Sequence, residues 1–385
     1  MHQSSSIGGG SYCLLNILKT IDKTQWEPVV ALRSEGPLVD ELRKLGMETV
    51  IFCEMAAIPY NRGLLQRGSL RAYWKVRKSI PALKSLLKKQ KIDVVYLNNM
   101  MLCRYLQPAK ECGCKTVVHI REHWPLDEHK RQLEWARQCV YNFADKMIAI
   151  NHYSASIFPE KDAVIVYDWI DMNSRYKPMP MSEIFGEDMT GKKVLLYTGG
   201  IDAIKGGDYI LDTFCNDIKG QDYRLLMLGC NNLYTVGWKH TLKCFMSKFG
   251  YHYRELEMKI KMDSDKRIRI IDSVYELSHL IEQSHCFVSY FRMPHANLAL
   301  AENIILSNPC IAADTEESRE YSGDGKYAML VAPLNNRQAF ASALNLFLEN
   351  HEKWSSAVAE GARVIKEKFD PHRNIKSLLS VLNNL

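Results

Sequence analysis

Short apolar, β-branched runs recur along the whole chain, each separated from the next by a stretch of helical periodicity. They fall at Pro28–Leu32, Glu48–Phe52, Asp93–Leu97, Thr116–Ile120, Lys146–Ile150 and Ala163–Val166. They resume at Lys193–Thr198, Arg224–Leu228, Ile268–Ile271, Cys286–Ser289, Cys310–Ala313 and Met329–Val331. Strands that are apolar throughout are buried on both faces, and intervening helices let successive strands run parallel. The pattern predicts an α/β chain of two doubly wound, Rossmann-like halves facing across a cleft. Residues 171–192 break the alternation with Pro178, Pro180, four methionines and no clean period, and so read as a linker between domains at 1–170 and 193–370. With 385 residues, each half is long enough to bury a core of its own.

The start of the chain departs from this rule. Ser4–Ser11 (SSSIGGGS) precedes an apolar-periodic run, Tyr12–Ile21, and reads as a glycine loop opening the first helix. In a doubly wound half such a loop follows a central strand, yet only Met1–Gln3 stand before it. The expectation is a true start upstream of Met1, or a sheet whose first strand is missing.

The net charge of +6 is unevenly placed. Between Ala56 and Ile92 all ten charged residues are basic, which leaves 40 basic against 44 acidic residues elsewhere. Such a run is ordinarily a solvated helix face. Here Tyr73 and Trp74 interleave with the charge, and Leu83, Leu86 and Leu87 follow Pro81, which is expected to kink the helix or start a new turn. A basic, aromatic surface without acids suits anionic lipid head groups, with Arg71, Trp74, Lys78, Lys84, Lys88 and Lys89 as the membrane-facing residues. No nucleic-acid recognition motif accompanies the run.

Eleven scattered cysteines without paired CxxC spacing argue against a disulfide framework or zinc site and for a reducing cytosol. Neither a membrane-spanning apolar stretch nor a signal peptide is present, so the expected location is cytoplasmic, with peripheral contact to the inner face of the membrane.

The segment Leu298–Pro333 (LALAENIILSNPCIAADTEESREYSGDGKYAMLVAP) resembles the signature of retaining GT-B glycosyltransferases of family 4. Glu302, Pro309, Asp314, Glu320, Asp324, Gly325, Leu330, Val331 and Pro333 fall on matching positions. Upstream, Leu196–Gly206 (LYTGGIDAIKG) resembles the family's strand-to-helix turn at Lys205 and Gly206, and Val164–Asp171 stands where the family has its segment before the linker. The resemblance implies a GT-B fold whose last helix, 371–385, packs back on the first domain. It implies transfer of a sugar from a nucleoside diphosphate sugar to a saccharide or lipid-linked acceptor, in polysaccharide or glycoconjugate synthesis, with no metal and no further cofactor.

The residue chemistry is consistent with that reading. Lys205 at a helix opening sets an ammonium beside free backbone N–H groups, a place for a leaving pyrophosphate. Glu302 lies in an otherwise apolar helix, where an unpaired charge is costly unless it has a task; accepting hydrogen bonds from ribose hydroxyls is one. The Gly9–Gly10 backbone lets donor phosphates or an acceptor approach closely, and Gly206, His295, Asn297 and Glu320 complete the expected donor-binding set. By the resemblance His119 lies near the reacting sugar and, with Glu302, is the catalytic candidate. The family has no accepted protein nucleophile, which implies a front-face route in which the departing phosphate oxygen deprotonates the acceptor. Arg121 and Glu122 read as a local ion pair, and His123 and His129 as loop or surface residues.

The chain also departs from the family. Pro294 stands where a sugar-binding Glu is expected, Gly200 where a diphosphate-binding Arg is, and Glu316 and Glu317 where paired glycines are. Arg292, His295 or Arg319 are candidates to supply the lost contacts. Two rival readings follow: a sugar-nucleotide epimerase of the same fold, and an inactive transferase-like partner subunit.

Overall fold

The computed structural model describes all residues except 7, 60–62, 64, 66, 125–127, 171–178, 231–232, 234–245, 247–252 and 275. Twelve strands are named: β1 Val29–Leu32, β2 Glu48–Ile51, β3 Val94–Leu97, β4 Lys115–Ile120, β5 Lys146–Ala149, β6 Val164–Ile165, β7 Lys193–Tyr197, β8 Tyr223–Leu228, β9 Ile268–Ile271, β10 Cys286–Val288, β11 Cys310–Ala313 and β12 Met329–Val331. Each begins and ends within one residue of its predicted run. Every strand pairing is parallel, as apolar strands separated by helices require. The chain divides into two compact units, residues 1–171 with 369–385, and residues 172–368. Of the expected linker, residues 171–178 lie outside the described residues. The rest belongs to the second unit and carries a short helix, Met181–Phe185, whose first amide donates to Gln283.

In the first unit β1 pairs with β2, and β3 to β6 pair in chain order. The backbone of Met1 and His2 stands between these two groups. The Met1 amine donates to the Tyr96 carbonyl (2.7 Å), the Met1 carbonyl accepts from the Asn98 amide (3.0 Å), and the His2 amide donates to Ala31 (3.0 Å). The expected gap at the sheet's centre is thus bridged by two residues, with a single parallel bridge from His2 to Leu32. The buried His2 ring links this slot to its surroundings through Asn98 (3.1 Å) and Ser11 (3.1 Å), and burial lowers its pKa to about 3, which keeps it neutral. The helix Gly9–Thr20 follows. The last helix, Pro371–Asn383, buries Ile375, Leu378, Val381 and Leu382 with Ile17, Val117, Ile148 and Trp169, inside the same unit.

The second unit is a six-stranded sheet in the order β12-β11-β10-β7-β8-β9. Chain order runs outward from β7 to β9 on one side and from β10 to β12 on the other. The reversal falls between β7 and β10, where the two following loops diverge and leave a crevice at the strands' carboxyl ends.

The basic stretch forms one helix, Arg67–Lys89, that continues through Pro81 without starting anew. Val76, Leu83 and Leu87 are buried beneath it. Arg71, Lys78, Lys88 and Lys89 are exposed, whereas Lys84 is half-buried and paired with Glu111 (2.6 Å), so it presents no free charge. Leu70 and Trp74, one turn apart, are 50% and 57% exposed, and the Lys78 ammonium lies 3.7 Å from the Trp74 ring.

Candidate active site

The loop after β7 is built from glycines at points where a side chain has no room. A Cβ on Gly199 would lie 2.2 Å from the Tyr197 hydroxyl, and one on Gly206 would lie 2.0 Å from the Tyr290 carbonyl oxygen. Gly200 and Gly206 also take the left-handed conformation, each at φ 67°. The Tyr197 hydroxyl sits 3.1 Å from the Gly200 carbonyl and 3.3 Å from that of Lys205, drawing both ends of the loop together. The Asp202 carboxylate caps the short 3₁₀ turn Ala203–Lys205 at Ile204 (3.1 Å), and Gly206 then opens the helix Gly207–Asp217. The loop after β10 is tied to this turn by Arg292, whose amide donates to the Ile204 carbonyl (2.8 Å).

Lys205 therefore projects from a glycine-bounded turn at the switch point. Its ammonium has no hydrogen-bond or ion-pair partner among the described residues, and burial lowers its pKa against the opposing pull of Asp202. A desolvated, unpaired cation beside the first amides of a helix is a site prepared for an anion.

Glu302 lies in the helix Leu298–Ile305 that follows the β10 loop. Its carboxyl likewise has no side-chain partner among the described residues. Burial, with the negative charge of Glu276 adding to it, raises its pKa to about 8. Glu276 accepts from Ser278 (3.3 Å) and comes from the loop after β9, so carboxyls from a loop and from a helix that follow different strands act on each other here. Asn297 is placed otherwise than expected: its oxygen caps the same helix at Leu300 and its amide donates to Ser289 (3.0 Å), so both ends of the side chain are in use. His295 packs its ring edge-on to Phe291 (5.6 Å). Glu320 sits in the helix Glu316–Ser322 after β11, and its carbonyl accepts from Lys368 (2.6 Å). Arg319 is committed to Asp314 through two hydrogen bonds (2.6 and 2.8 Å).

Arg254 and Asp208 carry no cue in sequence. Arg292 pairs with Asp208 and stacks over Tyr209, its guanidinium carbon 4.0 Å from the ring centre. Arg254, at the start of the helix Arg254–Ser264, donates to the Ile201 carbonyl (2.6 Å) and lies 3.9 Å from the other Asp208 oxygen.

In the first unit, Gly9 and Gly10 form the exposed first turn of their helix, behind the extended N-cap Gly8. His119 is fully buried within β4. Its Nδ1 faces the Tyr96 hydroxyl and a guanidinium nitrogen of Arg121 (3.3 Å). The guanidinium can only donate, so Nδ1 accepts and the proton sits on Nε2, which is buried without a hydrogen-bond partner among the described residues. Burial and the Arg121 charge hold its pKa well below the usual range for histidine. His119 thus offers a neutral N–H donor rather than a free base. Arg121 pairs not with Glu122 but with Asp168, and also donates to Asn98 (3.0 Å). Glu122 accepts from the amides of Met100 and Arg121 (both 3.1 Å), and burial raises its pKa to about 7. His123 is not a surface residue: it is buried and stacked on Tyr153 at 4.1 Å. His129, half-buried, precedes the helix Lys130–Phe143.

Two Rossmann-like units of parallel sheet, the second with a basic, glycine-lined turn at its switch point, define the GT-B class of proteins. Residues 8–164 match the family described as glycosyl transferase 4-like domain, and residues 192–350 match glycosyl transferases group 1. The chain is a GT-B glycosyltransferase, an enzyme. Comparison with curated proteins gives no match. Among solved structures, Anabaena Alr3699/HepE in complex with UDP-glucose is similar over 100% of this chain and 99% of that one, with TM-score 0.74 and 15% identity. Sucrose-phosphate synthase from Thermosynechococcus elongatus aligns over 100% and 94% (TM-score 0.71, 12% identity). A glycosyltransferase from Rickettsia africae aligns over 99% and 96% (0.69, 14%).

Proposed function

We propose that the protein transfers a sugar, with retention, from a nucleoside diphosphate sugar to a saccharide or lipid-linked acceptor in the synthesis of a polysaccharide or related glycoconjugate. The observation that carries this reading is the unpaired Lys205 ammonium on its glycine-bounded turn, with Glu302 on the helix that follows the neighbouring strand. The first receives the charge that develops on the departing diphosphate, and the second engages the ribose hydroxyls. The crystallised complexes of HepE with UDP-glucose, and with UDP and glucose, support a uridine diphosphate donor. With the leaving phosphate oxygen as the base, the protein supplies charge stabilisation and orientation.

The first unit meets the cytosolic face of an anionic membrane through Arg71, Trp74, Lys78, Lys88 and Lys89, with Lys84 neutralised by Glu111. Exposed Leu70 and Trp74 beside fixed positive charge support this reading.

Thermal melts with UDP, GDP, ADP and their sugars test the donor, since a ligand that binds only the folded state raises the melting temperature. Incubation with the stabilising sugar nucleotide and candidate acceptors, with the anomeric configuration of the product read by NMR, tests transfer and retention. Stabilisation by none of the nucleotides would refute the reading. Co-sedimentation with vesicles containing anionic lipid tests the membrane face: Arg71→Glu with Lys78→Glu abolishes binding and Lys84→Glu leaves it largely intact.

A further inference from the structure

Two arginines from elsewhere in the second unit reach the turn that carries Lys205. Lys205 belongs to the turn itself, Arg292 arrives from the loop after β10, and Arg254 arrives from a helix some fifty residues downstream. Two carboxylates face them, and Asp202 is already engaged in capping Ile204. The remaining one, Asp208, is shared unequally. One oxygen is bound by Arg292, while the other, among the described residues, is buried without a hydrogen bond and stands 3.9 Å from Arg254, too far to form one. The arginines are also incompletely satisfied. Among the described residues the Nε of Arg292 is buried without a hydrogen-bond partner, and the Nη1 of Arg254 hydrogen-bonds only the Met258 sulfur, at 3.6 Å.

The two arginines carry one positive charge more than Asp208 neutralises and, among the described residues, hold unused donors on two planar guanidinium groups. Its geometry is also fixed: Arg292 is stacked on Tyr209 and Arg254 is anchored to the backbone of Ile201, so the forks lose little freedom on binding. A guanidinium fork matches two oxygens of a phosphate, and two forks match the several oxygens of a diphosphate.

We propose that Arg254 and Arg292, held beside the Lys205 turn by Asp208, form the arginine pair that grips the diphosphate of the donor. The inference rests on the nucleoside diphosphate reading above and assigns the work to residues from two elements outside the turn. Asp208 keeps the pair charge-balanced and aligned before the ligand arrives.

Isothermal titration of the full chain with UDP, UMP and inorganic pyrophosphate tests it. Arg254→Ala, and Arg292→Ala combined with Asp208→Asn so that no buried carboxylate is stranded, are each expected to lower the preference for UDP over UMP at least tenfold and to abolish pyrophosphate binding. Arg254→Lys recovers part of the loss, since the charge returns without the fork. Unchanged melting temperatures without ligand establish that the variants are folded. If both variants keep the wild-type preference while Lys205→Ala loses it, the arginine pair is overturned and the donor reading stands. If the wild-type protein binds none of UDP, GDP and ADP, the donor reading fails and the pair falls with it.

Discussion

Glu302 makes the sharpest prediction, because its position opposes stability to function. In the folded chain burial and Glu276 raise its pKa to about 8, against the ordinary 4.5. Between those values the folded state holds a proton that the unfolded chain has released, so raising the pH through this window favours unfolding. From pH 5 to pH 7 the loss works out at about 2.5 kcal/mol, from about 1.4 kcal/mol for each unit of pH over which the two states differ by one proton. Glu302→Gln keeps the shape and hydrogen-bonding capacity of the protonated side chain but cannot ionise. The variant is expected to melt with the wild type near pH 5 and above it at pH 7. For a unit of this size the gap is about 5–10 °C. Differential scanning calorimetry over this pH range reads it. Nucleotide binding gives the opposite sign: hydroxyl donors favour the carboxylate, so UDP releases a proton from Glu302 and binds wild type more tightly as pH approaches 8. Titration in buffers of different ionisation enthalpy counts that proton, and Glu302→Gln abolishes it. A melting gap that does not widen with pH would refute the reasoning.

Arg121→Ala strands the buried Asp168 carboxylate and is expected to cost the first unit about 3–5 kcal/mol, with Asp168→Asn in the same chain restoring much of it in denaturant titrations. Gly206→Ala puts a methyl group 2.0 Å from a carbonyl oxygen at φ 67°, and should destabilise the second unit by about 2 kcal/mol or more in thermal melts while weakening UDP binding. Asn297→Ala removes a helix cap and costs about 1 kcal/mol, whereas Asn297→Asp keeps the cap but loses the amide donated to Ser289 and recovers only part of it. UDP affinity that tracks the amide rather than the cap would contradict the observed placement.

The strands were legible to within a residue because an all-apolar run has few places to go other than the middle of a parallel sheet. The turn at Gly206 was legible for a related reason: glycine, helix opening and lysine are adjacent in sequence, and local geometry brings them together. The basic helix was read less well. Pro81 suggests a break, but the helix runs through it, and its apolar residues Val76, Leu83 and Leu87 are buried on both sides of the proline. Lys84 looks like its neighbours in sequence, and only folding sets Glu111 beside it, 27 positions away.

Charge pairing is where sequence reading runs out, and the two units fail it in the same way. Adjacent Arg121 and Glu122 invite a local pair, but neighbours at the end of a strand point to opposite faces. Arg121 therefore finds Asp168, 47 positions on, and Glu122 turns to the backbone amides of Met100 and Arg121. Arg292 finds Asp208, 84 positions back, and Arg254 joins it from a helix with no sequence link to the β7 turn. In a doubly wound sheet the loops that meet at a switch point are separated in sequence by whole strand-helix units, so the charges that share a crevice are widely spaced along the chain. The glycines and the lysine mark the proposed donor site, while the groups that would balance the donor's charge are set by the order of the strands. That is why a guanidinium absent at position 200 is no sign that the turn lacks one.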